Sequence, residues 1–357
     1  MKIVFDCRYT RVDHHDGISR YTAGLVGALS RLHPVTMLIS DERQLALLPP
    51  LPWIKGCDPT SLREPWVSKV VNAAEPDVVF SPMQMMGSAG RRYRLILTLH
   101  DLIYYTNRTP PREFSWAVRM GWRVYHLSYL PVRLLLRRAD AVVTGSYTTR
   151  QELIEAGIHD GEITVIRSAV DDAEGGERSR PKQPNLVYMG SFMPYKNVET
   201  IARALHKLPD YTLHLLSRIS SADRSRLEAL APVGSLVFHN GVSDERYREL
   251  LGQATALVSA SRQEGFGIPL VEAMRAGTPI VVSDIPVFHE IGGGAANYFD
   301  PQDAAAFAAR VRSLEAPGEW EARSRASVAA SRQFSWDASA RTLLELAQRV
   351  VAAPQPR

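Results

Sequence analysis

The chain has 357 residues, of which 45% are hydrophobic and 22% charged, which is typical of a globular protein large enough for two domains. Its 42 lysines and arginines exceed its 38 acidic residues by too little to predict a nucleic-acid-binding surface. Cys7 and Cys57 lack zinc-site spacing and are too few for a disulfide framework. No apolar run reaches the roughly 18 residues of a membrane span, and the start is typical of a strand rather than a signal peptide, so a cytoplasmic protein is expected.

Short apolar runs alternate with amphipathic helical patterns along most of the chain. Runs of this kind are typical of parallel strands that are buried on both faces of a sheet. They predict strands over residues 2–5, 35–39, 77–80, 94–100, 140–146, 163–167, 185–190, 211–217, 235–241, 255–261 and 279–284. We therefore expect an α/β fold made of two doubly wound, Rossmann-like domains.

The stretch "DDAEGGERSRPKQP", residues 171–184, interrupts this alternation. It is charged, contains glycine and proline and shows no hydrophobic period, as is typical of an interdomain linker. We expect an N-terminal domain over residues 1–171, a linker over 172–184 and a C-terminal domain over 185–333. A further amphipathic helix is predicted over about 335–352, and its apolar stripe could pack on either domain.

The stretch "EGFGIPLVEA" follows a predicted strand, and ligands of open parallel sheets bind beyond the carboxyl ends of the strands. It predicts a short helix that begins at about Ile268. The backbone amides of Gly265–Gly267 would lie at its N-terminus, which suits anions and hydroxyl oxygens. Glu264 and Glu272 could accept hydrogen bonds from sugar hydroxyls. Each glutamate alone is equally well explained as an acid stabilised by the helix dipole.

Three further strand ends carry polar candidates. Gly190 permits a tight turn, and Lys196 precedes a helix N-terminus, where it could contact a phosphate or simply be solvated. His100 and Asp101 follow the strand at 94–100, where a hydrogen bond to a ligand and a satisfied core histidine are both compatible with the sequence. Gly17 opens a helix after the first strand, and its first amides are candidates for ligand contact.

Residues 112–138 contain six arginines, one glutamate and interleaved aromatic and leucine residues. A basic, aromatic-bearing helix can lie on an anionic bilayer surface. A buried helix with a solvated basic edge explains the pattern equally well. The segment therefore predicts either peripheral membrane contact or ordinary packing.

Several of these pieces resemble the retaining nucleotide-sugar glycosyltransferases of family 4, which have the GT-B fold. The pieces are "GISRY", the "HD" after a buried strand, "GSFMPYKN" and "EGFGIPLVEA". The likeness spans nearly the whole chain, and its most specific part is the Glu264 to Glu272 spacing with Gly-Phe-Gly inside. The resemblance implies two Rossmann-like domains that face a central cleft, with the acceptor on the first and the donor on the second. It also implies that a final helix over 334–353 returns to the first domain.

The resemblance assigns roles to individual residues. His100 would contact the donor sugar near the reacting carbon, and Lys196 would stabilise the departing diphosphate. Glu264 would hold sugar hydroxyls, and Glu272 would accept hydrogen bonds from the ribose. The residues expected to contact the donor are Gly17, Gly190, Ser191, Gly241, Val242, Gly265, Phe266, Gly267, Ile268 and Glu272.

One position departs from the family pattern. Many relatives carry an arginine beside that lysine or directly after the glycine of the same loop, where this chain has Tyr195 and Ser191. One cation fewer weakens the stabilisation of a leaving diphosphate. The auxiliary candidates are Asp101 and, for the missing charge, Arg20, Arg218 and Arg262.

The sequence thus predicts a hexosyltransferase, with GDP-mannose as the preferred donor and a glycan or lipid-linked hydroxyl as acceptor. A UDP- or TDP-sugar donor stays open, as does a catalytically silent scaffold that binds sugar nucleotides. A hydrolase or epimerase is disfavoured, because no pair of residues for activating water stands out. The resemblance implies reaction on one face of the sugar with retention. We expect no metal, no cofactor beyond the nucleotide-sugar substrate and no nucleic-acid partner, with contact at the inner membrane face if residues 112–138 bind lipid.

Overall fold

The computed structural model describes residues 1–110, 115–170 and 178–354. The chain divides into two compact units, one formed by Met1–Asp171 with Phe334–Arg357 and the other by Asp172–Gln333. Each unit is built on a parallel β-sheet with helices between its strands, so the predicted α/β class with two Rossmann-like domains is confirmed.

The first unit has, in its described part, a seven-stranded sheet. Its strands are β1 (Ile3–Asp6), β2 (Val35–Ile39), β3 (Trp53–Lys55), β4 (Val78–Ser81), β5 (Arg94–Thr98), β6 (Ala141–Thr144) and β7 (Ile163–Val165). They are all parallel in the order β3-β2-β1-β4-β5-β6-β7. The order reverses between β1 and β4, and the crevice beyond the carboxyl ends of such a strand pair is where ligands bind.

The helices of the first unit connect these strands. They are α1 (Gly17–Leu32), α2 (Ser68–Asn72), α3 (Ile103–Thr106), α4 (Trp116–Tyr125), α5 (Leu130–Leu136) and α6 (Tyr147–Glu155). In α1, Tyr21, Leu25 and Leu29 recur every four residues and are all fully buried, which places one face of the helix on the sheet.

The basic segment predicted as one helix over 112–138 forms two, α4 and α5, in its described part. Residues 112–114 lie outside the described residues. Pro131, the second residue of α5, suits the start of a new helix better than the interior of a continuing one. His126 ends α4 among the rings of Trp122, Tyr105 and Tyr125, and this aromatic cluster holds the bend.

The second unit has a six-stranded parallel sheet within residues 178–333. Its strands are β8 (Asn185–Tyr188), β9 (Thr212–Leu215), β10 (Leu236–Phe238), β11 (Ala256–Ser259), β12 (Ile280–Ser283) and β13 (Asn297–Phe299), in the order β10-β9-β8-β11-β12-β13. Its helices are α7 (Val198–Ala204), α8 (Ser221–Glu228), α9 (Asp244–Gln253), α10 (Ile268–Arg275), α11 (Pro286–Gly292), α12 (Ala304–Ser313) and α13 (Glu319–Ser331). Here the order reverses between β8 and β11, which are hydrogen-bonded neighbours.

The last helix, α14 (Trp336–Ala352), packs against α1 of the first unit. The indole of Trp336 lies directly over Gly24, and a Cβ at that position would come within 2.3 Å of the ring. Only glycine admits this close approach. Arg31 Nη2 also contacts Asp337 Oδ1 at 2.5 Å. The structure thus places the helix whose partner the amphipathic pattern left open.

Two short strands were not predicted from the sequence. β3 is at the edge of its sheet with two of its three residues exposed, and β13 is also a three-residue edge strand, so neither shows a long apolar run. Residues 178–184 of the expected linker belong to the second unit: Arg178 donates to Ala276 O at 2.6 Å and lies over the ring of Trp320. No helix in the described part of the chain is long and apolar enough to cross a bilayer.

Candidate functional site

Lys196 and Glu264 meet at the strand reversal of the second sheet. Lys196 lies in the loop after β8 and Glu264 in the loop after β11, and Nζ of the lysine is 2.6 Å from Oε1 of the glutamate. Ser261 Oγ donates to the same carboxylate oxygen at 2.7 Å. The lysine and glutamate side chains are 17% and 12% exposed, so their charges are largely shielded from water yet remain reachable. Two candidates 68 residues apart therefore form one charged centre.

Asn197 ties the surrounding loops together. Its backbone has the left-handed conformation (φ 53°), and its Nδ2 donates to Ala260 O at 3.1 Å and Pro301 O at 2.7 Å. Its Oδ1 accepts from Arg262 Nη2 at 3.1 Å. The sequence analysis placed a helix N-terminus directly after Lys196 but gave Asn197 no role of its own, although asparagine tolerates this conformation. The side chain fixes the loop that carries Lys196.

Arg262 is the arginine that the structure brings to this loop. Its backbone amide donates to Tyr195 O at 2.8 Å, and its guanidinium contacts Asn197. Arg218 lies elsewhere in the second unit, with Cγ 3.4 Å from the place a Cβ would occupy on Gly241. Arg20 is on α1 of the first unit. Arg262 is therefore the candidate for the missing charge that the structure shows in contact with the loop of Lys196.

The loop from Gly265 to Gly267 leads into α10. Gly267 is the N-cap residue and has φ 102° and ψ 54°, a conformation that other residues adopt only with strain. A Cβ there would lie 3.2 Å from the ring of Phe288. Because glycine carries no side-chain oxygen, it cannot cap the first-turn amides as serine or aspartate would. Phe266 is buried, Ile268 begins the helix, and Glu272 is half-buried on its second turn.

The other residues of the second unit that are expected to contact the sugar-nucleotide donor lie at the ends of β8 and β10. The amide of Gly190 donates to Ser217 Oγ at 3.1 Å, and Ser191 O accepts from Tyr188 Oη at 2.6 Å. The amide of Gly241 donates to Leu216 O at 2.8 Å, and Val242 follows it at the start of the loop before α9. Each is thus held at the carboxyl edge of the sheet.

His100 follows β5 in the first unit. Its Nε2 is 2.7 Å from Pro82 O, and its ring lies edge-on to Tyr21. Since a carbonyl can only accept, Nε2 carries the proton and Nδ1 is the accepting nitrogen. Burial lowers the pKa of His100, with the Pro82 hydrogen bond opposing it, so the ring is neutral at pH 7. Asp101 Oδ1 accepts from Ile103 N at 2.9 Å and so caps the turn into α3.

The N-terminus of α1, at Gly17, is capped by Asp16. Its Oδ1 accepts from Ser19 N at 2.8 Å and from the Ser19 hydroxyl at 2.9 Å, while Oδ2 contacts Arg11 Nε at 2.8 Å. The pKa of Asp16 is lowered by these hydrogen bonds, although burial opposes the shift. The first amides of α1, which were expected to face a ligand, are therefore preceded by the carboxylate of Asp16. The sequence analysis did not identify this cap.

A buried ionic cluster at the strand reversal of the first sheet was also missed. Asp6 ends β1, and its two carboxylate oxygens accept from Arg8 Nε at 2.8 Å and Nη2 at 2.9 Å. Glu64 contacts the same guanidinium at 2.5 Å, and Ser81 Oγ at the end of β4 donates to Asp6 at 3.1 Å. A charged "DCR" directly after a buried strand was the available signal. The described residues contain no cluster of three metal-ligating side chains.

Two family models match consecutive parts of this chain. The model described as "Glycosyltransferase Family 4" matches residues 15–174, and the one described as "Glycosyl transferases group 1" matches residues 171–333. Their junction falls at the boundary between the two structural units.

Three curated relatives have mannosyltransferase names. O-antigen chain mannosyltransferase B of Escherichia coli is 31% identical over 69% of this chain and 68% of its own length. O-antigen chain mannosyltransferase RfbU of Salmonella typhimurium is 28% identical over 61% of this chain and 60% of its own length. GDP-mannose:cellobiosyl-diphosphopolyprenol alpha-mannosyltransferase of Xanthomonas oryzae is 32% identical over 49% of each chain. The chain therefore spans from about half to two thirds of the length of these relatives.

Solved structures share the fold at low identity. Anabaena Alr3699/HepE, solved in complex with UDP-glucose, superposes with a TM-score of 0.75 at 19% identity over 98% of this chain and 100% of that one.

Proposed function

Since the chain belongs to glycosyltransferase family 4 and has the GT-B fold, we propose that it transfers a hexose from a nucleotide sugar to a hydroxyl of a glycan or lipid-linked acceptor. The observation that carries this proposal is the Lys196–Glu264 pair at the strand reversal of the second sheet. It combines a cation for phosphate, a carboxylate for sugar hydroxyls and the neighbouring N-terminus of α10.

GDP-mannose is the proposed donor. The support is that three relatives are named mannosyltransferases, and one of those names includes GDP-mannose and a diphosphopolyprenol-linked sugar. The contacts that select the base would lie at the loop of Gly241 and Val242. UDP- and TDP-sugars are the alternatives, since a few contacts in that loop decide the base.

The transfer breaks the bond between C1 of the sugar and the diphosphate while the acceptor hydroxyl attacks. We expect Lys196 to stabilise the negative charge on the departing diphosphate, with Arg262 as the second cation in place of the family's missing arginine. Glu264 and the neutral His100, through Nδ1, are proposed to accept hydrogen bonds from sugar hydroxyls. Retention follows if a diphosphate oxygen takes the acceptor's proton on the face that the leaving group occupied. These groups supply the charge that a divalent metal would otherwise provide.

The alternative of a catalytically silent, sugar-nucleotide-binding scaffold is disfavoured by the same geometry. A scaffold needs only contacts to the nucleotide, so it does not require a carboxylate held beside the lysine. Lys196 and Glu264 form a 2.6 Å contact and are 17% and 12% exposed, so both charges remain accessible to a bound donor. Turnover with any nucleotide sugar would separate the two functions.

Thermal stabilisation by nucleotides tests the donor. GDP and GDP-mannose are expected to raise the melting temperature of the second unit, whereas UDP, TDP and ADP forms are expected to change it much less. Ligand at 100 times its Kd adds about 2.7 kcal/mol to the free energy of unfolding. GMP is the control, since it lacks the second phosphate for Lys196. A shift only with UDP or TDP forms would overturn the donor, and no shift with any nucleotide would favour the scaffold.

The exposed face of α4 supports peripheral contact with an anionic membrane. Trp116, Met120 and Val124 follow one another at four-residue spacing and are 82%, 54% and 59% exposed. Arg119 and Arg123 lie beside this stripe. An apolar stripe flanked by arginines complements the interface of an anionic bilayer. We propose that this face rests on the membrane that presents a lipid-linked acceptor.

Vesicle sedimentation tests this contact. Arg119→Gln/Arg123→Gln is expected to weaken binding to vesicles of equimolar phosphatidylcholine and phosphatidylglycerol, because each arginine near such a surface contributes about 1 kcal/mol. Arg133 is unsuitable for the test, since Nη2 donates to Ala156 O and the guanidinium lies over Tyr129. The matched control is Arg150→Gln/Arg341→Gln, which removes two exposed arginines elsewhere in the first unit. Equal sedimentation of both variants would refute the contact.

A further inference from the structure

An arginine-rich cavity lies at the amino edge of the first sheet, opposite the edge that carries His100. It is lined by the first residues of β5 and β6, by the residues that precede β7, by the end of α5 and by the last turns of α14. Its volume is about 890 Å³. At a rise of roughly 3.3 Å per residue, the strands separate it from the carboxyl edge by about 15–20 Å. The cavity is thus distinct from the candidate site.

The cavity concentrates positive charge. Among its described lining residues, the acidic ones are Asp140 and Glu162, against five guanidinium groups. The net charge of the lining is therefore +3. His159 does not add to it, because burial lowers its pKa and leaves the ring neutral. The five arginines are Arg91, Arg94, Arg137, Arg138 and Arg349.

Two of the five arginines have structural roles. Arg91 and Arg94 bind Asp140 at 2.6 and 2.9 Å, and Arg94 also donates to Ala353 O near the end of α14. These contacts neutralise the charge of Asp140, whose carboxylate also accepts a hydrogen bond from the amide of Leu95. The presence of Arg91 and Arg94 is therefore explained by contacts within the protein and requires no ligand.

The other three arginines carry more positive charge than Glu162, the remaining carboxylate of the cavity, can balance. Arg349 contacts Glu162 at 2.9 Å, but both side chains are more than half exposed, so the pair is weak. Arg137 and Arg138 end the basic segment after α5 and are exposed. Cations are favoured after a helix C-terminus, which explains why Arg137 and Arg138 lie there. It does not explain why both line the same cavity as Arg349.

We propose that this cavity binds a phosphate-bearing anion through Arg137, Arg138 and Arg349. Guanidinium groups bind phosphate oxygens in bidentate geometry, and a concave wall strengthens the field of an unbalanced cluster. The volume exceeds that of inorganic phosphate and suits a phosphorylated small molecule or a lipid headgroup. The chemistry is the same for both sources. The proposal does not depend on the transferase activity, because it concerns the opposite edge of the sheet.

Calorimetric titration with sodium pyrophosphate tests the cavity. The titration is made on full-length Lys196→Ala protein, so that the candidate diphosphate site does not contribute. Adding Arg138→Gln/Arg349→Gln is expected to weaken pyrophosphate binding by about tenfold or more, since charge-assisted hydrogen bonds are lost. Adding the control pair Arg150→Gln/Arg341→Gln should leave it unchanged. If the cavity pair lowers the melting temperature, Arg137→Gln alone replaces it.

Vesicles distinguish the two sources of phosphate. If a lipid headgroup is the ligand, Arg138→Gln/Arg349→Gln lowers sedimentation with phosphatidylglycerol-containing vesicles, and excess pyrophosphate releases the parent protein. If the ligand is soluble, only pyrophosphate binding falls. Equal pyrophosphate affinity and equal sedimentation for the cavity and control variants would overturn the proposal.

Discussion

Lys196→Ala is expected to lower kcat/KM by about 10²- to 10³-fold, the usual effect of removing one group that stabilises developing charge. Lys196 lies at the strand reversal of the second sheet, where its Nζ is 2.6 Å from Oε1 of Glu264. Because the lysine would act on the diphosphate, GDP affinity should fall while GMP affinity stays nearly constant. Steady-state rates with the nucleotide sugar identified by thermal stabilisation, together with nucleotide titrations, measure both effects.

Two further variants are compared with Lys196→Ala. Lys207→Ala removes an exposed lysine of the same unit and should keep full activity. Arg262→Gln should reduce activity less than Lys196→Ala, because Arg262 lies further out, on Asn197. Wild-type rates in Lys196→Ala, with an unchanged melting temperature, would show that the charged centre is not the site of the reaction.

Arg8→Met is expected to destabilise the first unit by about 3–5 kcal/mol. The side chains of Arg8 and Asp6 are fully buried, and removal of the guanidinium would leave Asp6 and Glu64 as uncompensated charges. Urea unfolding should show the transition of the first unit shifted to lower urea concentration, while that of the second unit is unchanged. Asp6→Asn/Arg8→Met should recover part of the loss, since the unpaired aspartate is then removed.

Arg43→Met is the matched control. Asp41 and Arg43 have the same two-residue spacing as Asp6 and Arg8, and their contact is 2.5 Å, but both side chains are exposed. A surface pair of this kind contributes little to stability, so the unfolding midpoint should not move. If Arg8→Met and Arg43→Met unfold alike, the buried cluster does not hold the first sheet together.

The linear pattern determined the architecture. Strands buried on both faces must be apolar throughout, so each of the eleven long runs was visible, from residues 2–5 to 279–284. The two missed strands, β3 and β13, lie at sheet edges, where a short run suffices. The motif around Glu264 also carried the resemblance to the family whose models match the chain.

Contacts between distant residues were decided only by the tertiary structure. The pairing of Lys196 with Glu264 depends on β8 and β11 being neighbours, which no local period reports. The contact of Arg262 with the loop of that lysine depends on Asn197 joining two loops. The partner of α14 depends on Gly24 leaving room for the indole of Trp336. Spacing along a chain limits which residues can be helical or extended, whereas strand order and packing decide which side chains meet.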